Sequence, residues 1–211
     1  MRHDRPERPA QYQEDHAMSL TKRQSGCKRQ RGTSLLEVLI TIIILAFGLL
    51  GLAGLQAKIQ LAETESFQRA QAMLLLSDMV QRFSANSADA ATYVAAAALV
   101  GTDDAPLGNC TGSGAARDVC EWRNALKGAG EKTGSANTGA MLGGRGCVTQ
   151  VQVPDPSPGV CLPGVYRVTV VWQGLSPTAA PSLTCGQGAY DPDTTRRAMA
   201  ALVTVGLPNC I

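Results

Sequence analysis

The sequence predicts an α+β protein in which one long N-terminal helix packs on a small antiparallel β-sheet with disulfide-bonded loops. Three observations support this fold class. An apolar run at 35–55 opens a stretch without proline, short strand-like segments occur late in the chain, and six cysteines follow the apolar run. A sheet covered on one face by a helix is a common way to bury both elements.

The apolar run reads LLEVLITIIILAFGLLGLAGL, which is close to the ~20 residues needed to cross a bilayer. An amphipathic pattern continues to about residue 84. Its apolar positions lie three and four apart, as on one face of a helix: Met73, Leu76, Val80 and Phe83, with a neighbouring line of Phe67, Ala70 and Leu74. We therefore expect one helix from Ser34 to Phe83, lipid-embedded at first and then packed against a soluble domain.

The remaining chain predicts shorter elements. Residues 88–100 are alanine-rich and indicate a short helix or a turn of one. The eleven glycines of residues 101–146 predict mostly loop, apart from a short helix at Val119–Leu126. Alternating apolar residues predict three strands: Val148–Val153, Val165–Trp172 and Met199–Val205. In the second strand, one face carries Tyr166, Val168, Val170 and Trp172. In the third strand, one face carries Met199, Ala201, Val203 and Val205.

Composition argues against an enzyme. The only histidines, His3 and His16, precede the apolar run, so the rest of the chain lacks histidine-based nucleophilic systems and the commonest metal ligand. We expect no catalytic residue, no metal and no cofactor. The basic excess lies just before the apolar run, where it indicates a membrane topology signal and not a nucleic-acid site. Arg196 and Arg197 form either a binding patch or, as we prefer, a solvated strand start.

Seven cysteines occur, and six of them follow the apolar run. An even set in a glycine-rich region indicates disulfides and an oxidising compartment. Zinc sites use closely spaced pairs, whereas the nearest pair here, Cys110 and Cys120, has nine residues between its members. We therefore expect disulfides and not a zinc site.

The most informative segment is KRQRGTSLLEVL at 28–39, where a basic cluster and Gly32 precede an apolar run interrupted by Glu37. A carboxylate inside an apolar span costs about 2–3 kcal/mol, which makes Glu37 a candidate functional residue. The segment resembles the prepilin processing site of type IV pilins and of type II secretion pseudopilins. A plain signal anchor, with Glu37 at headgroup level, is the simpler alternative.

The resemblance implies cleavage between Gly32 and Thr33 by a membrane prepilin peptidase, which then methylates the new amine of Thr33. Thr33 differs from the phenylalanine most common there. In that family the glutamate corresponding to Glu37 pairs with the N-terminal amine of a neighbouring subunit. The implied topology is a single-pass inner-membrane protein with a cytoplasmic N-terminus and a periplasmic C-terminal domain, destined for the pilus or cell surface.

The implied layout has four parts. They are a cleaved leader at 1–32, a transmembrane and assembly helix at 33–57, an amphipathic continuation at 58–100 and a periplasmic pilin domain at 101–211. Met18 offers a second start, and the basic segment from Met18 to Gly32 suffices to orient the anchor. We therefore expect residues 1–17 to be dispensable for insertion and cleavage.

Further segments resemble the type IV pilus modification protein (PilV) type of minor pilin: LLLSDMVQRFSAN, EWRNAL and YRVTVVWQG. This likeness implies a pilin fold, with a role in priming pilus assembly or at the pilus tip in adhesion and twitching motility. Implied partners are the prepilin peptidase, other minor pilins, the major pilin, the inner-membrane assembly platform and lipid. The alternatives are a type II secretion pseudopilin and a single-pass anchored periplasmic binding protein.

For the six cysteines we expect bonds between sequence neighbours, although fifteen pairings are possible. Cys110–Cys120 would close a glycine-rich loop, and Cys147–Cys161 would bracket a strand and its proline-rich turn. The third pair, Cys185–Cys210, would tie the loop after Trp172 to the chain terminus and match the C-terminal disulfide loop of the pilin family.

Overall fold

The computed structural model describes residues 32, 34–102, 104, 106–139 and 141–207. They divide between two units, one ending at Gly48 and the other beginning at Leu49. The predicted α+β class is confirmed. A long helix, with its second part packed on a small antiparallel sheet, is joined by two shorter helices and by disulfide-bonded loops.

Helix α1 spans Leu35–Ala85, within two residues of the predicted limits. Its start follows from Ser34, whose hydroxyl accepts a hydrogen bond from the Leu36 amide at 3.3 Å. Serine is a favoured residue at a helix start because its oxygen satisfies an otherwise unpaired amide. The buried side of α1 is a single stripe at helical spacing: Gln68, Ala72, Leu75, Leu76, Met79 and Phe83.

The predicted apolar face of α1 was partly wrong. Leu76 and Phe83 are buried, but Met73 is 55% exposed. Phe67 and Leu74 are also exposed. Apolar residues occur on two opposite sides of this part of the helix, so spacing alone could not identify the side that meets the sheet.

A 3₁₀ turn, Ser87–Asp89, and helix α2, Ala90–Ala96, follow in the alanine-rich region. Helix α3, Ala115–Leu126, begins four residues before the predicted Val119. The region expected to be mostly loop also holds small strands that the sequence pattern missed, because two-residue strands carry no alternation. These are the hairpin strands β2, Lys132–Thr133, and β3, Ala136–Asn137. A further short strand, β1, Val100–Gly101, lies at the boundary between the alanine-rich region and the region expected to be loop.

The three predicted strands are present and somewhat longer than predicted. They are β4, Arg145–Gln152; β5, Gly164–Gln173; and β6, Arg196–Val205. The antiparallel sheet has the order β1-β4-β5-β6, so β6 is an edge strand.

One sheet face packs on the helices and the other is covered by a loop. The predicted alternation of β5 is confirmed, since Tyr166, Val168, Val170 and Trp172 join the main core with residues of all three helices. Trp122 of α3 is fully buried there, and a Cβ at Gly146 would lie 2.1 Å from its ring. On the other face, Val171 packs in a second cluster with residues of the loop between β5 and β6.

Candidate functional site: the start of helix α1

The residues predicted for processing and assembly lie where α1 begins. Gly32 is exposed, and an added Cβ there would meet no atom within 4 Å. The backbone oxygen of Ser34 accepts hydrogen bonds from the amides of Glu37, at 2.9 Å, and Val38, at 3.2 Å. Thr33 lies outside the described residues. Regular helix thus begins just after the predicted cleavage position.

Glu37 lies in the first turn of α1, and its side chain is exposed. A negative charge at this end of a helix interacts favourably with the partial positive charge of the free amides. No hydrogen bond or ion pair of the Glu37 carboxylate is formed with the described residues. As far as the described residues are concerned, the carboxylate is therefore available to a partner.

The residues after Glu37 form an apolar surface that the protein itself does not bury. Ile44, Leu45, Phe47 and Leu50 are each more than 60% exposed. By length and composition the first part of α1 can cross a membrane, and it lies near the N-terminus. Exposed apolar area on this scale marks contact with lipid or with other proteins.

The sequence around this site carries a known motif. Residues 27–53 match the family model described as the prokaryotic N-terminal methylation motif, which includes Gly32, Thr33 and Glu37. This motif indicates a protein processed as a prepilin, of the type IV pilin or pseudopilin kind. No curated protein and no solved structure matches the chain significantly.

The disulfides differ from the predicted set. Cys110–Cys120 forms as expected, but Cys147 bonds to Cys185, so the pairings Cys147–Cys161 and Cys185–Cys210 were wrong. Cys161 is also disulfide-bonded, and Cys210 lies outside the described residues.

The physical reason for the observed pairing is the strand alternation of β4. Cys147 pairs in register with Thr169 and is buried with Val171 on the sheet face away from α1. The loop after β5 folds across this face and brings Cys185 to it. Proximity in sequence could not show which face each cysteine occupies.

Arg196 was expected to be solvated, and this was wrong. Its side chain is 1% exposed and makes two hydrogen bonds to the Asp193 carboxylate, at 2.8 and 2.9 Å. It also donates to the carbonyl oxygens of Leu183, Cys185 and Pro181. The bond from Arg196 lowers the pKa of Asp193. These hydrogen bonds from Arg196 therefore hold the loop between β5 and β6 against the sheet.

A network of charged groups joins the three helices. Arg82 of α1 donates to Glu121 of α3 at 2.5 Å and to Asp78 at 2.9 Å. Tyr93 of α2 donates to Asp118 of α3 and to the Arg82 carbonyl oxygen. Burial, followed by the bond to Asp118, raises the pKa of Tyr93. The sequence signals of this network are the two i,i+4 pairs, Asp78 with Arg82 and Arg117 with Glu121.

Bonds from Arg117 and then Arg82 lower the pKa of Glu121. Within the described ranges, no group of three His, Cys, Asp or Glu side chains is arranged to hold a metal ion. The charged network thus has an evident structural role in joining the helices.

A cleft of about 340 Å³ lies between α1 and the first residues of β6. It is lined by Ala62, Ser66 and Arg69 of α1, Trp172 of β5, and Arg197 and Ala198 of β6. Glu65, also in the lining, accepts hydrogen bonds from the Leu175 amide at 3.1 Å and from Arg197 at 3.3 Å. Arg69 is exposed and bonds to none of the described residues.

Proposed function

We propose that this protein is a minor pilin of the type IV pilus, of the PilV type, which primes pilus assembly or acts at the pilus tip. The single observation that carries the proposal is the N-terminal methylation motif at 27–53, which coincides with the start of an exposed apolar helix. The α+β fold of the remaining chain is consistent with a pilin subunit.

In this proposal, prepilin peptidase cuts between Gly32 and Thr33 and methylates the amine of Thr33. Gly32 suits the site because it has no side chain and is exposed to an approaching enzyme. Cleavage makes Glu37 the fifth residue of the mature chain. Its exposed carboxylate then pairs with the N-terminal amine of a neighbouring pilin, where low dielectric strengthens the attraction.

The proposed location follows from the charge before the helix. Residues 1–32 hold eight basic and four acidic residues, and basic residues flanking a span favour the cytoplasmic side. The first part of α1 then spans the inner membrane, and the disulfide-bonded domain lies in the periplasm, where disulfides form. The partners are the peptidase, the assembly platform and other pilins.

Intact-mass analysis and N-terminal peptide sequencing test the processing step. Wild-type protein should begin with a methylated Thr33, whereas Gly32→Arg should keep residues 1–32 and accumulate as an inner-membrane precursor. Gly26→Arg is the matched control, since it alters another leader glycine and should be processed normally. A Gly32→Arg chain that still loses residues 1–32 would contradict the proposed cleavage site.

The role is tested by deletion of the gene. Loss of surface pili and of twitching motility, with unchanged protein secretion, is the result expected for a minor pilin. A secretion defect with normal pili would instead favour a type II secretion pseudopilin. An unprocessed but functional chain would favour a plain anchored periplasmic protein.

A further inference from the structure

Strand β6 presents a row of unused backbone hydrogen-bonding groups. The Gly174 amide donates to the Thr195 carbonyl oxygen, which places residue 195 in a hydrogen-bonded pair with β5. Such pairs alternate along an antiparallel ladder. With the register Gly164↔Val205 to Gln173↔Arg196, the odd-numbered residues of β6 bond to β5. The even-numbered residues therefore direct their amides and carbonyls away from the sheet.

This edge lacks the usual protection. Proteins guard exposed sheet edges with charges, prolines, bulges or short strands. β6 is ten residues long, and from Ala198 to Val205 it contains neither a charge nor a proline. Its register with β5 has no irregularity. Ala200, Leu202 and Thr204 are exposed, with Leu202 at 60%. Among the described strands, none pairs with this edge.

The cleft adjoins the first residues of β6 on the side of the sheet that faces α1. Arg197 and Ala198 belong both to the cleft and to the start of β6. An extended segment paired with β6 would direct alternate side chains to the α1 side of the sheet, because successive residues of a strand point to opposite faces. Near Ala198, a side chain of the added segment that points to the α1 side would enter the cleft beside Arg69. The guanidinium of Arg69 bonds to none of the described residues. That position suits a carboxylate.

We propose that the β6 edge binds an extended segment of a different protein as an added strand, with a carboxylate of that segment in the cleft beside Arg69. Main-chain hydrogen bonds to Ala198, Ala200, Leu202 and Thr204 supply the binding energy. The cleft supplies the preference for an acidic residue. When a peptide binds by adding a strand to a sheet, side-chain pockets commonly give the specificity in this way. This inference does not rest on the proposed pilus function, because the edge and cleft lie outside the processing site.

Charge argues against a second copy of this chain as the occupant. β6 has no acidic residue, so an antiparallel pair of β6 strands would leave Arg69 without a carboxylate. A parallel in-register pair would bring Arg196 and Arg197 of both chains together. Like charges placed side by side on paired strands are unfavourable.

The test is a selection of displayed peptides on the full-length protein in detergent micelles. The probe is a random library of ten-residue peptides, the length of β6. We expect selected peptides to alternate apolar and polar residues, with Asp, Glu or a free carboxyl terminus near one end. N-methylation of alternate backbone amides should weaken binding at least about tenfold, since it removes the donors that a strand pair needs.

Two substitutions locate the binding on the protein. Ala200→Pro removes an outward amide and leaves the β5 ladder intact, and proline is tolerated on edge strands. It should lower the affinity of selected peptides at least about tenfold, whereas the matched Ala200→Thr should change it less than about threefold. Arg69→Gln should reduce the affinity for acidic peptides and leave their amide counterparts unchanged.

Several outcomes would overturn the proposal. They are a failure to select any extended peptide, equal binding of the selected peptides to Ala200→Pro and Ala200→Thr, and insensitivity to backbone N-methylation. Concentration-dependent dimers that Ala200→Pro abolishes would make a second copy the occupant and would also overturn it. If Ala200→Pro fails to fold, the N-methylated peptides still test the proposal, because they are measured on the unchanged protein.

Discussion

Cys147 of β4 is disulfide-bonded to Cys185, 38 positions further along the chain, and both residues are buried on the sheet face away from α1. The bond fixes the loop between β5 and β6 across this face. Val171 and Tyr190 pack around it in the same cluster. The loop thus depends on a covalent link as well as on packing.

Replacing both Cys147 and Cys185 with serine should lower the free energy of unfolding by about 4 kcal/mol on the chain-entropy estimate for a 38-residue separation. Chemical denaturation of the full chain in detergent, followed by fluorescence of the buried tryptophans, measures this loss. The matched control replaces Cys110 and Cys120, whose separation is 10 and whose estimated loss is about 3 kcal/mol. A larger loss in the control would contradict the expected order.

Cys161 should be bonded to Cys210. The other four described cysteines are paired with each other, and Cys161 is itself disulfide-bonded. Cys27 belongs to the predicted leader, which leaves Cys210. The register supports this pairing, since Val205 of β6 lies opposite Gly164, three residues after Cys161. Peptide mapping of the unreduced mature protein should recover a Cys161–Cys210 peptide, and a free Cys210 thiol would refute the assignment.

Replacing Arg196 with methionine should cost about 1–3 kcal/mol, because the carbonyl oxygens of the loop between β5 and β6 that it binds lose their donor. The loop between β5 and β6 should become sensitive to protease at the same time. Thr204→Met provides a control on the same strand, since Thr204 is exposed and its change should alter stability by less than about 0.5 kcal/mol. Equal stability of both variants would show that Arg196 does not hold the loop.

The elements with strong periodicity could be predicted from sequence. β5 alternates over its whole length, and α1 has a proline-free apolar run with a serine at its start, so both are specified locally. The position of the candidate site could also be predicted from the sequence, because Gly32, Glu37 and the basic cluster are neighbours in the chain.

What the sequence could not specify depends on long-range packing. The partner of Cys147 was missed because it depends on which face the loop after β5 covers. The burial of Arg196 was missed because three of its four partners are backbone carbonyls, which leave no mark in a sequence. The exposure of Met73 shows the same limit, since an apolar side chain fits either a core or an unpartnered helix face.

Stability should fall as the pH rises above about 10, and Tyr93 should account for part of the fall. An unfolded chain loses the tyrosine proton near pH 10. In the folded protein, burial and the bond to Asp118 raise the pKa of Tyr93 well above that value. The folded state then binds more protons than the unfolded state, so the free energy of unfolding decreases with rising pH.

Tyr93→Phe tests this linkage. At neutral pH the variant should lose about 1–2 kcal/mol, because hydrogen bonds to Asp118 and to the Arg82 carbonyl oxygen disappear. Above pH 10 the stability difference between wild type and variant should narrow, since the variant has no proton to lose there. Denaturation curves at several pH values measure the difference, and a constant gap would contradict the linkage.

Glu37→Gln should impair assembly without impairing insertion. A neutral amide costs less than a carboxylate in an apolar span, so the variant chain should enter the membrane and be cleaved at Gly32 as well as wild type. The amide cannot form an ion pair with the methylated amine of a neighbouring subunit, which our proposal requires for axial register. Cross-linking to other pilins and the amount of surface pili should therefore fall several-fold.

Glu63→Gln is the matched control, because Glu63 is an exposed acid on the same helix beyond the apolar run and its loss should leave assembly unchanged. If Glu37→Gln and Glu63→Gln cross-link and piliate equally well, the pairing role of Glu37 is wrong.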